Sequence, residues 1–70
     1  MINQIITFHK TLKKGETVKI ITTLDNYSTY VNRTDVLQKL DGILLISRAN
    51  GARVVINPEY IIAACVIERF

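Results

Sequence analysis

One cysteine, one histidine and no glycine-rich phosphate loop leave this 70-residue chain few of the groups that covalent chemistry needs. The single Cys65 rules out an internal disulfide. Its neighbours Ala64, Val66 and Ile67 suit a small buried hydrophobe in a reducing cytoplasm. A catalytic thiol wants a base nearby, and His9 lies far off in sequence. No Cys/His spacing points to a metal site. The six carboxylates are scattered over turns and strand ends, where solvation is their ordinary role, so no pair is poised for acid–base work. The expectation is a protein that is not an enzyme and uses no metal and no cofactor.

Long apolar runs are missing as well. No segment approaches the roughly 18–20 apolar residues that span a bilayer. The first residues lack the apolar run and small-residue cleavage site of a signal peptide. A soluble, cytoplasmic protein is therefore expected. Seventy residues supply one small domain (1–70), which hides only roughly 60% of its unfolded surface. Hydrophobic residues make up 49% of the chain, so a core exists, but one that is marginal alone. Oligomerisation is a usual remedy.

What the chain does have is concentrated between Gly42 and Ile67. Ile43 to Ser47 and Arg53 to Ile56 flank Asn50-Gly51, a dipeptide that tolerates positive φ at both centres of a type I′ hairpin. A two-residue loop there sets Arg48 opposite Arg53, Ile46 opposite Val55 and Leu45 opposite Ile56. One face then carries Leu44, Ile46 and Val55, and the other Ile43, Leu45, Val54 and Ile56. Both faces are apolar, unlike a hairpin on a one-sided sheet. Either the monomer covers both sides, or a neighbouring chain covers part. Pro58 removes a ladder donor and stops the second strand, and Ile61 begins a third.

Upstream, Ile2, Ile5, Ile6, His9 and Leu12 fall on one stripe of a helix over about residues 2–13. Lys13 and Lys14 suit its C-terminal end, and Gly15 is a natural C′ residue. His9, at the stripe's edge, reads as a packing or solvent-facing residue rather than a ligand. Glu16 to Leu24 reads as a strand, Asp25-Asn26 as a turn, and Tyr27 onward as a second strand. Residues 33–41 fit either a helical turn capped by Thr34 or a bent, bulged strand running to Asp41-Gly42. Five strands result: about 16–24, 27–33, 43–48, 52–57 and 61–67. A helix followed by five short strands is the layout of a mainly β, small SH3-like barrel.

Charge is unevenly placed. Lys10, Lys13, Lys14 and Lys19 face only Glu16 in the first twenty residues, and the rest of the chain balances to zero. The net charge of +3 thus sits in the N-terminal segment, which attracts a polyanion or merely solvates a helix end. Arg48 and Arg53, opposed across the predicted hairpin, repel unless an anion or an acid satisfies them, so the pair is either a phosphate contact or two splayed, solvated side chains. Tyr27, Tyr30 and Tyr60 lie at strand ends or turns, where a ring either packs in the barrel or stacks a base. Asn32 and Asn57 have the donors and acceptors to read base edges.

A family resemblance enters through four segments: INQIITFHKTLKKG (2–15), VKIITTLDN (18–26), LDGILLI (40–46) and VVINPEYI (54–61). In order and spacing they resemble the N-terminal helix, first strand, first motif and second motif of the Sm-like (LSm/Hfq-like) family, above all its bacterial RNA-chaperone branch. Pro58 and Asn57 stand where the second motif has its glycine and a preceding basic residue. The family's Tyr-Lys-His run is absent, and there are extra residues between Asn26 and Asp41. The resemblance implies a cyclic homo-oligomer of bacterial or phage origin, in which the fourth strand of one copy pairs with the fifth of the next. Val54, Val55, Ile56, Ile61, Ile62, Ala63 and Cys65 are the candidate interface; an unpaired edge so apolar invites aggregation. Single-stranded RNA is the implied ligand, with Tyr27, Tyr30, Asn32, Arg48, Arg53, Asn57, Tyr60, Lys10, Lys13 and Lys14 as candidate contacts. The alternative is a small β-barrel module that binds a host protein, such as a phage-encoded regulator, and no RNA.

Overall fold

A computed structural model describes residues 1–23 and 28–68. The expected Asp25-Asn26 turn and Tyr27 lie outside the described residues. One helix, α1 (Ile2–Lys10), precedes six strands: β1 (Glu16–Thr22), β2 (Ser28–Asn32), β3 (Val36–Leu40), β4 (Ile43–Ser47), β5 (Arg53–Ile56) and β6 (Ile61–Glu68). They form two antiparallel three-stranded sheets, ordered β2-β1-β6 and β3-β4-β5. The sixth strand is β3, so residues 36–40 are extended rather than a helical turn. No described helix is long and apolar enough to cross a membrane.

α1 ends at Lys10, three residues short of the expected limit. Thr7 and Thr11 spend their hydroxyls on carbonyls one turn back, Asn3 at 2.9 Å and Thr7 at 3.1 Å, a habit that weakens helices. Gly15 (φ 86°) is not the helix cap; it sits inside a tight Lys13–Glu16 turn that feeds β1. Glu16 Oε1 closes that turn by accepting from the Lys13 amide at 2.7 Å. Of the expected stripe, Ile5 is fully buried and Ile2 and Leu12 pack on the core, joined by Phe8.

The core gathers Ile5 of α1, Val18 and Ile20 of β1, Val31, Leu44, Ile46, Ile56 and Ile61. These residues come from both sheets and the helix, so burying them holds the two sheets together.

The two glycine turns exchange roles relative to the sequence expectation. Asp41 (φ 48°) and Gly42 (φ 78°) join the paired residues Leu40 and Ile43, so the two-residue loop with positive φ at both centres lies here. At Asn50-Gly51 only Gly51 has positive φ (93°). The Gly51 amide donates to the Arg48 carbonyl at 3.0 Å, and the Arg48 amide to the Ala52 carbonyl at 2.7 Å. That is a three-residue loop, Ala49–Gly51, with a glycine bulge. Asn50 stays out of the left-handed region and uses Oδ1 to accept from the Ala52 amide at 3.0 Å.

One extra loop residue shifts the register by one. The observed pairs are Leu44 with Ile56, Leu45 with Val55, Ile46 with Val54 and Ser47 with Arg53. A slip of one exchanges faces. Ile56 and Val54 therefore join Leu44 and Ile46 inside, and Val55 joins Ile43 and Leu45 outside. Gly51→Ala meets no atom within 4 Å, so its cost is backbone strain alone. We expect a loss of about 1–2 kcal/mol, and a melting temperature lowered by about 4–16 °C for a domain this small, read by circular dichroism.

After β5 the chain turns through one short 3-10 helix, Pro58–Tyr60. Asn57 Oδ1 caps it by accepting from the Glu59 amide at 3.1 Å. Pro58 stops β5 as expected. Among the described residues β6 pairs only with β1, and Ile62 is an extra residue between the Ile21–Ala63 and Thr22–Ile61 pairs, a bulge.

Candidate nucleic-acid interface and assembly edges

The break between β2 and β3 is held by a buried carboxylate. Asp35 is 5% exposed and accepts from Arg48 Nη1 at 2.8 Å and from the Asn32 amide at 2.9 Å. Arg48 Nη1 also donates to the Tyr30 carbonyl. Burial pushes the Asp35 carboxyl upward, but hydrogen bonds from Asn32, Arg48 and Ala49, with the guanidinium charge, outweigh it and hold the group below its ordinary range. The pair ties the corner after β2 to the hairpin end after β4.

The expected opposition of Arg48 and Arg53 does not form, and an acid satisfies Arg48. The register sets Arg53 opposite Ser47, and Arg48 is committed to Asp35. Arg53 is exposed at the start of β5. The two asparagines are also partly spent: Asn57 Oδ1 caps the 3-10 turn, and the Asn32 side-chain amide lies 2.8 Å from the buried Thr17 hydroxyl, which is equally close to the Val31 carbonyl. Both side chains remain exposed.

A basic pole remains. Lys10, Lys13 and Lys14 are exposed at the end of α1 and in the loop after it. A ring nitrogen of His9, Nε2, lies 3.0 Å from the Asn32 carbonyl and must carry the proton to donate there. That bond sets the end of β2 beside this loop. Arg33, exposed, lines one groove with Gly15, Glu16, Thr17, Asn32 and Thr34. It therefore joins the lysines, although only the tertiary fold brings it there. Its one legible signal was a cation next to a turn. Tyr30 is half-buried on β2, and Tyr60 is exposed at the end of the 3-10 turn.

The candidate interface residues divide. Ile56 and Ile61 are buried in the monomer's own core, and Val54 packs against it. Val55, Ile62, Ala63 and Cys65 are exposed. Among the described residues β5 pairs only with β4 and β6 only with β1, so each presents one unpaired edge. Cys65 is thus an exposed thiol rather than the buried hydrophobe expected.

Comparison of the chain with protein-family models, with curated proteins and with solved structures finds no match.

Proposed function

We propose that this chain is a divergent, non-catalytic Sm-like protein of the cytoplasm, whose copies join β5 to β6 in a closed ring that binds single-stranded RNA. The observation that carries the reading is the pair of unpaired edges, on strands separated by one 3-10 turn and bearing exposed Val55, Ile62, Ala63 and Cys65. An edge of that composition is protected in native proteins by pairing. Strands β2 and β3, with only residues 33–35 between them, read as halves of one bent strand. The order β6-β1-β2/β3-β4-β5 is then that of a five-stranded SH3-like barrel. A heterologous β5–β6 contact repeats around a ring and leaves no edge.

RNA binding rests on the basic pole, Lys10, Lys13, Lys14 and Arg33, with Tyr60 as an accessible ring. Repetition around a ring converts weak single contacts into avidity.

Sedimentation velocity and filter binding test both halves. The expected particle is a discrete multiple of the 8.0 kDa chain. Ala63→Lys with Cys65→Lys, placing charge on the β6 edge, should dissociate it. Affinity for oligo-U or oligo-A should fall with salt, with a log–log slope of about −0.7 per phosphate contacted. An 8.0 kDa species at high concentration overturns the ring. Assembly without salt-dependent affinity overturns the RNA ligand and favours a protein partner.

A further inference from the structure

The register correction exposes a sheet face that the ring reading uses only at Val55 and the RNA reading not at all. On the outer face of β3-β4-β5 the cross-strand pairs are Leu40–Ile43, Gln38–Leu45, Val36–Ser47, Leu45–Val55 and Ser47–Arg53. Five of these eight side chains are aliphatic, and they form one patch across three strands. Val36, Leu40 and Val55 are 53%, 47% and 59% exposed, and Ile43 and Leu45 are half-buried. Scattered surface aliphatics need no explanation, but a contiguous patch on a sheet face marks an interaction site.

We propose that this face is a self-association surface, covered by the same face of a second copy. Its chemistry selects that occupant. Arg53, at the hairpin corner, is its one charged side chain, so phosphates find a single cation and bases find no aromatic ring. An extended peptide adds to a sheet edge through backbone hydrogen bonds and leaves a face uncovered. An aliphatic sheet face is buried by another sheet stacked about 10 Å away. A second copy supplies a face of matching size and apolarity. A twofold axis crossing the strands near Leu45 sends the two Arg53 side chains to opposite ends, so like charges do not meet.

The size fits a weak, concentration-dependent contact. Three strands of about five residues span about 14 by 17 Å, roughly 240 Å² in projection. Two such faces bury on the order of 900 Å² of accessible surface once side-chain relief is counted, at the low end of specific interfaces. The contact uses a face, not an edge, and stands whether or not β5 and β6 pair.

Val36→Lys with Leu40→Lys tests it, because both lie on β3, away from the β5 and β6 edges. Sedimentation of the whole chain between about 5 and 500 µM should show wild type reaching an even number of copies. The lysine variant should stop at half that mass, with an unchanged circular dichroism spectrum. If the edges do not pair, the same experiment reads dimer against monomer. If they do, the Ala63→Lys/Cys65→Lys variant retains the dimer that the face alone makes. Val36→Thr with Leu40→Thr, a gentler change for a strand, should raise the midpoint concentration about tenfold or more. Equal masses for wild type and the threonine variant at every concentration would overturn the proposal and assign the patch to another occupant.

Discussion

Ile56→Ala is expected to unfold a large fraction of the protein, whereas Val55→Ala, one residue away, leaves the monomer's fold intact. Ile56 is 8% exposed, faces Leu44 across the hairpin and belongs to the core. Truncating a buried isoleucine costs about 2–5 kcal/mol through lost transfer energy and the cavity left behind. A domain of this size holds only about 5 kcal/mol in all. Val55 is 59% exposed on the opposite face, and its truncation should change stability by less than about 0.5 kcal/mol. Urea titrations followed by circular dichroism, at a concentration low enough to suppress association, read both values. The two-residue hairpin predicted from Asn50-Gly51 demands the reverse face assignment, so a larger loss at Val55 would reinstate that register.

The second large effect concerns the corner. Asp35→Ala removes the acceptor of the Asn32 amide and strands the Arg48 charge. Breaking a buried pair from one side costs about 3–5 kcal/mol. Arg48's side chain is 24% exposed and rehydrates in part, so we expect about 2–3 kcal/mol here. Arg48→Met should cost less, because Asp35 keeps its backbone donors. The pH dependence follows from the direction of the shift. The folded carboxyl is held below its ordinary value, so the pair's contribution is complete above about pH 4 and is lost as pH falls through the folded value. The stability gap between wild type and Asp35→Ala should therefore narrow in acid. A gap that stayed constant to pH 2 would show that the carboxylate's charge contributes nothing.

Punctuation was the most legible part of the chain. Pro58, Asp41-Gly42 and the Thr/Val/Ile-rich runs mark turns and strands through local sterics, and those effects survive in the fold. The turn at Asn50-Gly51 was visible, but its type was not. Asn-Gly suits a two-residue loop and also a type I turn closed by a glycine bulge, and the choice falls to whichever register buries Ile56 beside Leu44. That preference is tertiary. The helix was overextended because periodicity counts Leu12 as a helical position, whereas Leu12 reaches the core from the turn beyond α1.

The candidate site was less legible, for a related reason. Arg48 and Arg53 look symmetric about Asn50-Gly51, but a one-residue bulge breaks that symmetry and leaves Arg48 to Asp35. Asp35 itself reads as a solvated turn residue, and no local pattern reveals a carboxylate destined for burial. Its partner lies thirteen residues on. Arg33 joins the lysines only because His9 reaches the carbonyl of Asn32 across twenty-three residues.

The polar chain at the corner has a kinetic corollary. The His9 ring, the Asn32 backbone, the Asp35 carboxylate and the Arg48 guanidinium hold one another in series, so three stretches distant along the polypeptide share a single fastener. Fraying at that point is then one cooperative opening rather than three local ones. The amide protons of Asn32 and Asp35 should trade with deuterium at a common rate, and both should speed up together when any link is cut.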